Sequence, residues 1–444
     1  MAVRATLSGF PEWLPDGRIV EQHVLDTARR IFELHGFASL ETRSVEPVET
    51  LLRKGEIDKE VYAVHRLQGD DDSALALHFD LTVPFARYVV DNAGKLAFPF
   101  RRYQIQKVWR GERPQEGRFR EFTQADIDIV DEGDLAAHHD VEMATVMAEV
   151  LAALPIPPTI ILLNNRKVLE GFYRGLGITD VPTVLRAIDK LDKIGPDKVR
   201  TLLAEAGLTE TQAKACLDLA DVQAPDSTFV ERVRALGVSD PMLDEGLGEL
   251  AAVIDGVNRD HPGAARVDLH IARGLDYYTG TVYETQVIGH ESFGSVCSGG
   301  RYDSLASDGK TTYPGVGISL GVTRLVSLLL GRGLVTASRS VPSAVLVAVT
   351  DEQSRERSYQ VAQHLRERGI ACEVSPSADK FGKQIRYADR RGIPYVWFPD
   401  DAGDTVKDIR SGEQVGADAT TWTPPDTDLR PRVVAVTDSD EGAS

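Results

Sequence analysis

Residues 110–130 read Arg-Gly-Glu-Arg-Pro-Gln-Glu-Gly-Arg-Phe-Arg-Glu-Phe-Thr-Gln-Ala-Asp-Ile-Asp-Ile-Val. Arginines at 110, 113, 118 and 120 are followed by a strict alternation of apolar and hydrogen-bonding residues, which predicts a strand, a loop and a returning strand. On the return, successive side chains point to opposite sides of a sheet. Ala125, Ile127 and Ile129 therefore take one face, and Gln124, Asp126 and Asp128 the other. One face packs and the other is a polar floor. The arginine fork matches phosphate oxygens, so Arg110 and Arg113 beside that floor point to a polyphosphate held against a small ligand that carries an amine. The plain alternative is an exposed, salt-bridged hairpin.

A chain of 444 residues is too long for one ordinary core, and about 150 residues per domain suggests two or three domains. With 50 Lys and Arg against 68 Asp and Glu, the net charge is -18 and the pI near 5.1. That balance argues against broad adhesion to nucleic acid or an anionic membrane, so any RNA contact must use local basic patches. Cys216, Cys297 and Cys372 are widely spaced and form no metal-ligand pattern, which argues against a disulfide framework or a zinc site and fits a reducing cytoplasm. The opening segment lacks a sustained apolar run, and no stretch approaches the roughly 20 apolar residues a membrane helix needs. A soluble, unexported protein without a membrane partner is expected.

Val20, Val24, Thr27, Ile31 and Leu34 recur at helical steps before Gly36, as in an amphipathic helix closed by a left-handed glycine. From about 75 to 130 the order is strand, helix, strand, hairpin, and strand-like runs return at 282–287 and 295–297. Hairpin-rich order favours an antiparallel sheet. Residues 172–258 instead read as a helical insertion with breaks at Gly177, Gly195, Gly207 and Gly237. The polar strands on either side must then meet again in space. A first domain thus spans 1–335, a turn-rich linker 336–342, a second domain 343–424 and a mobile tail 425–444. The second domain alternates strand and helix as a small βαβαβ unit with a mostly parallel sheet, making the whole chain α+β.

Four further segments could carry chemistry. Asp80-Leu-Thr82 supplies a carboxylate and a hydroxyl suited to an ammonium group, although taken alone it reads first as an ordinary helix cap before Pro84. Arg273-Gly-Leu-Asp-Tyr277-Tyr278 places a cation, an acid and two phenols together, and Ser298-Gly-Gly-Arg-Tyr302-Asp303 has a similar texture. Buried core tyrosines are the alternative for both. In Gly315-Val-Gly317-Ile-Ser-Leu-Gly321-Val-Thr323-Arg324, alternate glycines bare one strand face on which a flat ring could lie, with Arg324 stacked on it; tight helix-on-sheet packing competes.

The hairpin Arg110-Gly-Glu-Arg113-Pro-Gln-Glu-Gly-Arg118-Phe-Arg120, with Arg273-Gly-Leu-Asp-Tyr-Tyr278 and Gly299-Gly-Arg-Tyr302-Asp303, resembles the histidyl-tRNA synthetases, class II aminoacyl-tRNA synthetases. The likeness extends through Asn164-Asn-Arg-Lys-Val and Ile188-Asp-Lys-Leu-Asp-Lys-Ile-Gly to Val406-Lys-Asp-Ile-Arg-Ser-Gly-Glu. It implies a class II antiparallel catalytic domain, a C-terminal anticodon-binding domain, and a homodimer that joins L-histidine to tRNA(His) with ATP as substrate and Mg2+ carried by ATP. By resemblance, Arg273 and Arg110 are the catalytic cations. Asp80, Thr82, Gln124, Asp128, Tyr277, Tyr278 and Tyr302 bind histidine, with Asp128 and Tyr278 reading the imidazole and Tyr302 closing the pocket. Arg110, Arg113, Arg120 and Arg324 bind ATP, and Gln115, Arg118, Lys380, Lys383 and Arg386 bind tRNA. Lys380, Lys383, Arg386 and Arg390 fall on one side of a helix, giving the acidic chain a local cationic stripe.

Two departures stand out. Gly321-Val-Thr323-Arg324 replaces the usual Gly-x-Glu-Arg and so lacks a glutamate that helps coordinate ATP-bound metal, leaving no protein metal ligand to name. Arg43 stands where the family's interface motif commonly has proline. The main competing reading is the non-catalytic, histidine-sensing regulatory subunit of ATP phosphoribosyltransferase, which resembles the first domain only. A second is another class II synthetase, such as those for proline, threonine or glycine.

Overall fold

A computed structural model describes residues 7–52, 60–68, 74–271 and 277–436. The chain forms two compact units, one of Met1–Pro11 with Val24–Leu328 and one of Glu12–His23 with Leu329–Ser444. Helix α1 is Pro15–Leu34, followed by Gly36 at φ 76° as its left-handed stop.

The first unit is built on a nine-stranded sheet. Its strands are β1 (Ala38–Ser39), β2 (Phe100–Trp109), β3 (Glu121–Val130), β4 (Thr159–Asn165), β5 (Gln223–Ala224), β6 (Ala265–Asp268), β7 (Tyr278–Val287), β8 (Cys297–Tyr302) and β9 (Gly315–Gly321). The spatial order is β1-β2-β3-β9-β8-β7-β4-β6-β5, antiparallel except for β1 with β2 and β4 with β6. Arg110–Val130 thus supplies the loop and return strand of the β2–β3 hairpin, in register from Phe100↔Val130 to Trp109↔Glu121. The alternation of β3 does what its period dictates: Ala125, Ile127 and Ile129 are fully buried on the face covered by helices.

Helices α2 (Thr82–Asn92), α3 (His138–Ala152), α4 (Arg166–Gly175) and α5 (Pro241–Asp260) complete the unit's framework. Asn165 at the end of β4 caps α4, its side chain accepting from the Lys167 N–H at 2.8 Å. Alpha-helices α4 and α5 touch through paired glycines. A β-carbon on Gly171 would fall 2.3 Å from the Leu243 nitrogen, and one on Gly246 2.6 Å from the Val168 nitrogen, so only glycine permits this approach. Between 172 and 258 the chain is mainly helical, and it also returns the two-residue strand β5 to the sheet edge, where Gln223 donates to Asp268 at 3.0 Å. The flanking strands do meet: β4 and β7 pair from Thr281↔Asn165 to Val287↔Thr159.

A small sheet of Val45–Pro47, Ala63–Val64 and Leu75–Leu77 lies in the same unit. Its fully buried Glu46 is gripped by Arg43 at 2.6 Å and Arg87 at 2.9 Å, which gives the unusual Arg43 a local structural partner.

In the second unit a five-stranded sheet contains β10 (Val345–Val347), β11 (Cys372–Val374), β12 (Tyr395–Phe398), β13 (Thr405–Asp408) and β14 (Gln414–Gly416), in the order β11-β10-β12-β13-β14. The first three are parallel, with α7 (Arg355–Glu367) and α8 (Phe381–Arg390) as crossovers, matching the βαβαβ pattern. Two antiparallel strands extend it beyond that reading.

The linker and tail expectations need correction. Helix α6 (Val322–Gly331) spans the boundary between the units, and Val335–Ala337 pairs antiparallel with Val433–Ala435. Arg339 ties the following turn by donating to the Val341 and Pro342 carbonyls. The tail is likewise structured to Val436: Asp426–Leu429 is helical, and Asp428 accepts from Tyr395 at 2.9 Å and Arg410 at 2.8 Å. These bonds hold a Pro- and Asp-rich segment whose composition alone predicts mobility.

Asp140 of α3 ties the helix layer to the sheet, accepting from Arg301 of β8 at 2.8 Å and from Thr281 of β7 at 2.6 Å. Asp140→Ala should cost about 3 kcal/mol or more by leaving the Arg301 guanidinium without its carboxylate. Urea unfolding measures this, and a loss below about 1 kcal/mol would show that the pair contributes no more than a solvent-exposed one.

Candidate functional site

The face of the sheet opposite the apolar one carries the site, and register assembles it. Arg102, Asp128, Gly317 and Gly300 are consecutive cross-strand partners on β2, β3, β9 and β8. The next row on the same face runs Val130, Gly315, Tyr302, Tyr278. Asp128 is buried. One of its oxygens accepts from the Tyr302 hydroxyl at 2.9 Å and the other lies 2.6 Å from an Arg102 Nη. Each carboxylate oxygen has two lone pairs, so acceptor capacity remains.

The glycines of β9 are spaced as the sequence suggests, but their occupant differs from expectation. A β-carbon on Gly317 would sit 2.2 Å from the Asp128 carboxylate, and one on Gly315 2.5 Å from the Tyr302 ring. The bared strand face is filled by these two side chains of the protein itself rather than left open for a flat ring. Gly300 does the same for Tyr278, at 2.7 Å.

A cavity on this face is lined by Thr82, Asp126, Asp128, Tyr277, Tyr278 and Tyr302, with Ser298 and Ser319 on its floor. Burial pushes the Asp126 carboxyl up to about 7 and that of Asp128 up to about 6, with Arg102 opposing both. Burial also raises Tyr277, Tyr278 and Tyr302, so their hydroxyls remain neutral donors. Asp80 is buried nearby and adds negative charge to this group. It also accepts from the Val83 N–H at 3.1 Å, so it serves as a first-turn cap of α2 while facing the cavity residues. Three carboxylates against one buried guanidinium suit a cationic ligand rich in N–H donors. Gln124, expected at the amino group, donates to the Ser319 hydroxyl and is mostly buried.

Arg110 lies at the end of β2, its Nε donating to the Phe79 carbonyl at 3.1 Å and its guanidinium 5.0 Å from the Phe122 ring centre. Glu112 gathers the loop cations. It is 4.0 Å from Arg110 and 3.6 Å from Arg118, and its carbonyl accepts from Arg120 at 3.2 Å. Arg113 and Gln115 are exposed. Arg324 rests 4.9 Å over the Phe293 ring and donates to the carbonyls of Gly117, at 3.0 Å, and Phe293. One face of its guanidinium is therefore already covered by the protein. Thr323 accepts from the Thr123 N–H at 2.8 Å, so the residue in place of the usual glutamate secures β3.

Arg273 lies outside the described residues. Arg301, inside a segment that resembled a site, points to the opposite face and joins Asp140. In the second unit Lys380, Lys383, Arg386 and Arg390 are all exposed, and the last three line one groove with Tyr387; Asp379 pairs with Lys383 at 3.1 Å. Asp126, Ser298, Ser319, Arg102, Phe293 and Glu112 had not been assigned roles. The alternation already puts Asp126 on the polar floor, and Ser319 follows from the same rule, because each occupies the polar phase of its strand. Arg102 could be found only from register.

Known proteins bear on this geometry. A family model described as histidyl-tRNA synthetase matches residues 9–325, and one described as an anticodon binding domain matches 343–417. The chain is 61% identical to a histidine--tRNA ligase of Micrococcus luteus, over 99% of this chain and 100% of that protein. The crystal structure of a histidyl-tRNA synthetase from Nostoc sp. PCC 7120 superposes with a TM-score of 0.85 at 37% identity, covering 94% of this chain and 98% of that one. A Bacillus halodurans structure titled as an ATP phosphoribosyltransferase regulatory subunit/histidyl-tRNA synthetase shares the fold, with a TM-score of 0.72 at 19% identity over 86% of this chain and 96% of its own. A likeness that runs through both units and nearly every residue has one reading: the chain belongs to the histidyl-tRNA synthetase family.

Proposed function

We propose that the chain activates L-histidine with ATP to the histidyl-adenylate and transfers histidine to the 3' end of tRNA(His), with the cavity around Asp128 as the amino-acid pocket. The observation that carries this reading is the pairing of a buried carboxylate with neutral phenols in a net-negative cavity. A neutral imidazole has one N–H donor and one bare nitrogen, and Asp128 with Tyr278 offers the matching acceptor and donor. Asp80, Thr82 and Gln124 take the ammonium group. Buried polar groups left unpaired by an apolar amino acid cost about 1 to 3 kcal/mol each, so these contacts discriminate without an editing domain.

In the first step the histidine carboxylate attacks the ATP α-phosphorus and pyrophosphate leaves. In the second, a hydroxyl of the terminal adenosine displaces AMP. Arg110 and, by resemblance, Arg273 spread positive charge over the α-phosphate oxygens as they gain charge in the transition state. Arg113 and Arg120 follow the polyphosphate, Arg324 stacks on adenine, and Gln115 and Arg118 meet the acceptor end. Mg2+, as the ion carried by ATP, would supply charge neutralisation there. Among the described residues no group of three His, Cys, Asp or Glu could hold a metal, and the Thr323 hydroxyl is engaged with Thr123, so no step is assigned to a protein-bound ion. A cytoplasmic homodimer accords with the family resemblance, and no described helix is long and apolar enough to cross a membrane.

The regulatory-subunit reading is disfavoured by the full-length likeness to ligases and by the anticodon-binding match at 343–417. Labelled pyrophosphate should exchange into ATP when L-histidine is present; silence with histidine, or equal exchange with proline, rejects the assignment. Lys383→Ala combined with Arg386→Ala should raise the tRNA KM about tenfold, the scale of losing two phosphate contacts, while leaving pyrophosphate exchange unchanged. Unaltered tRNA kinetics would make the α8 stripe a solvated face.

A further inference from the structure

Arg102 is fully buried and does not line the amino-acid cavity, yet it is the cross-strand neighbour of Asp128 and lies 2.6 Å from its carboxylate. Its guanidinium is 4.3 Å from the Phe85 ring centre and has Gln104 Oε1 at 3.4 Å. Gln104 is itself fixed, donating to the Thr42 hydroxyl at 3.0 Å and to Gln106 at 2.7 Å, and Gln106 donates to Ser44 at 3.0 Å. A buried polar chain from residues 42–44 thus sets where this guanidinium sits.

We infer that Arg102 is a positioning residue for amino-acid specificity: its buried ion pair holds the Asp128 carboxylate in place, ionised, as the acceptor for the ring N–H of the substrate. This rests on the proposed role of Asp128. Among the described residues, the other groups facing Asp128 are Asp80 before α2, Asp126 on its own strand, and the phenols Tyr278 and Tyr302, none of them a cation. Without Arg102, three carboxylates share one buried volume and Asp128 takes up a proton near neutral pH. A protonated carboxyl loses its charge and part of its acceptor capacity and adds a competing O–H donor, so its hold on the ring N–H weakens.

The test uses the full-length protein in pyrophosphate exchange from pH 6.5 to 8.5, with thermal melting as a check on folding. Arg102→Met should raise the histidine KM at least about tenfold at pH 7 and leave the ATP KM within about twofold. The acid limb of log(kcat/KM) for histidine should move upward by about one pH unit, with recovery toward pH 8.5. Titration of free histidine is common to every variant and cancels in the comparison. Arg102→Lys, which keeps the charge, should recover most of the loss. If the methionine variant does not fold, Arg102→Gln reads the same shift while keeping polar packing. A fall in kcat with an unmoved pH profile would make Arg102 merely structural and overturn the inference. So would an unchanged histidine KM in Arg102→Met where Asp128→Asn raises it. An unchanged KM in Asp128→Asn would instead remove the reading of Asp128 itself.

Discussion

The structure depends on a carboxylate kept ionisable inside a sheet. Asp128 is buried, and burial alone would neutralise it. Its neighbours along one row supply what that position demands: Arg102 on one side as counter-charge, and Gly317 on the other with no β-carbon to collide with the carboxylate. Tyr302 closes the arrangement from two strands away, lying over Gly315 to reach the same carboxylate. Cation, glycines and phenol are one solution to one electrostatic and steric problem, distributed over four strands.

That arrangement also explains why the sheet is two-faced. The strand residues that alternate with the site point into a layer of helices, where Arg301 and Asp140 form a second buried ion pair back to back with the first. Arg301 and Tyr302 are adjacent in sequence and serve opposite faces, one fixing the helix layer and the other shaping the pocket. The packed side thereby fixes the strands whose opposite face carries the cavity residues.

Much of this was legible in the chain. The period-two run at 124–129 revealed both faces of β3, and the glycine spacing at 315–321 revealed β9, because strand periodicity is local. What filled the bared face of β9 was not legible, since the leaning of Asp128 and Tyr302 across a strand is a matter of register. Arg102 was hidden in the pair Arg101-Arg102. Arg101 faces Glu142 on α3 and Arg102 faces Asp128, and only the pairing with β3 decides which is which. The closing segment misled through composition: its Asp and Pro residues read as disorder, yet Asp428 is buried against Tyr395 and Arg410, and such distant partners leave no trace in a short window.

The insertion between β4 and β7 has a consequence for how the polypeptide leaves the ribosome. Tyr302 and Asp128 are 174 positions apart, so the hairpin of β2 and β3 is synthesised well before β9 exists to cover its free edge. The thermodynamic cost of joining strands so far apart in sequence grows only slowly, by about 0.6 kcal/mol for each doubling of loop length. The hazard of the delay is an unpaired strand rich in Ile. Gln124, Asp126 and Asp128, alternating with those isoleucines, give the nascent edge a charged phase that discourages pairing with other chains. The polar residues of the cavity floor thereby act first as gatekeepers against aggregation.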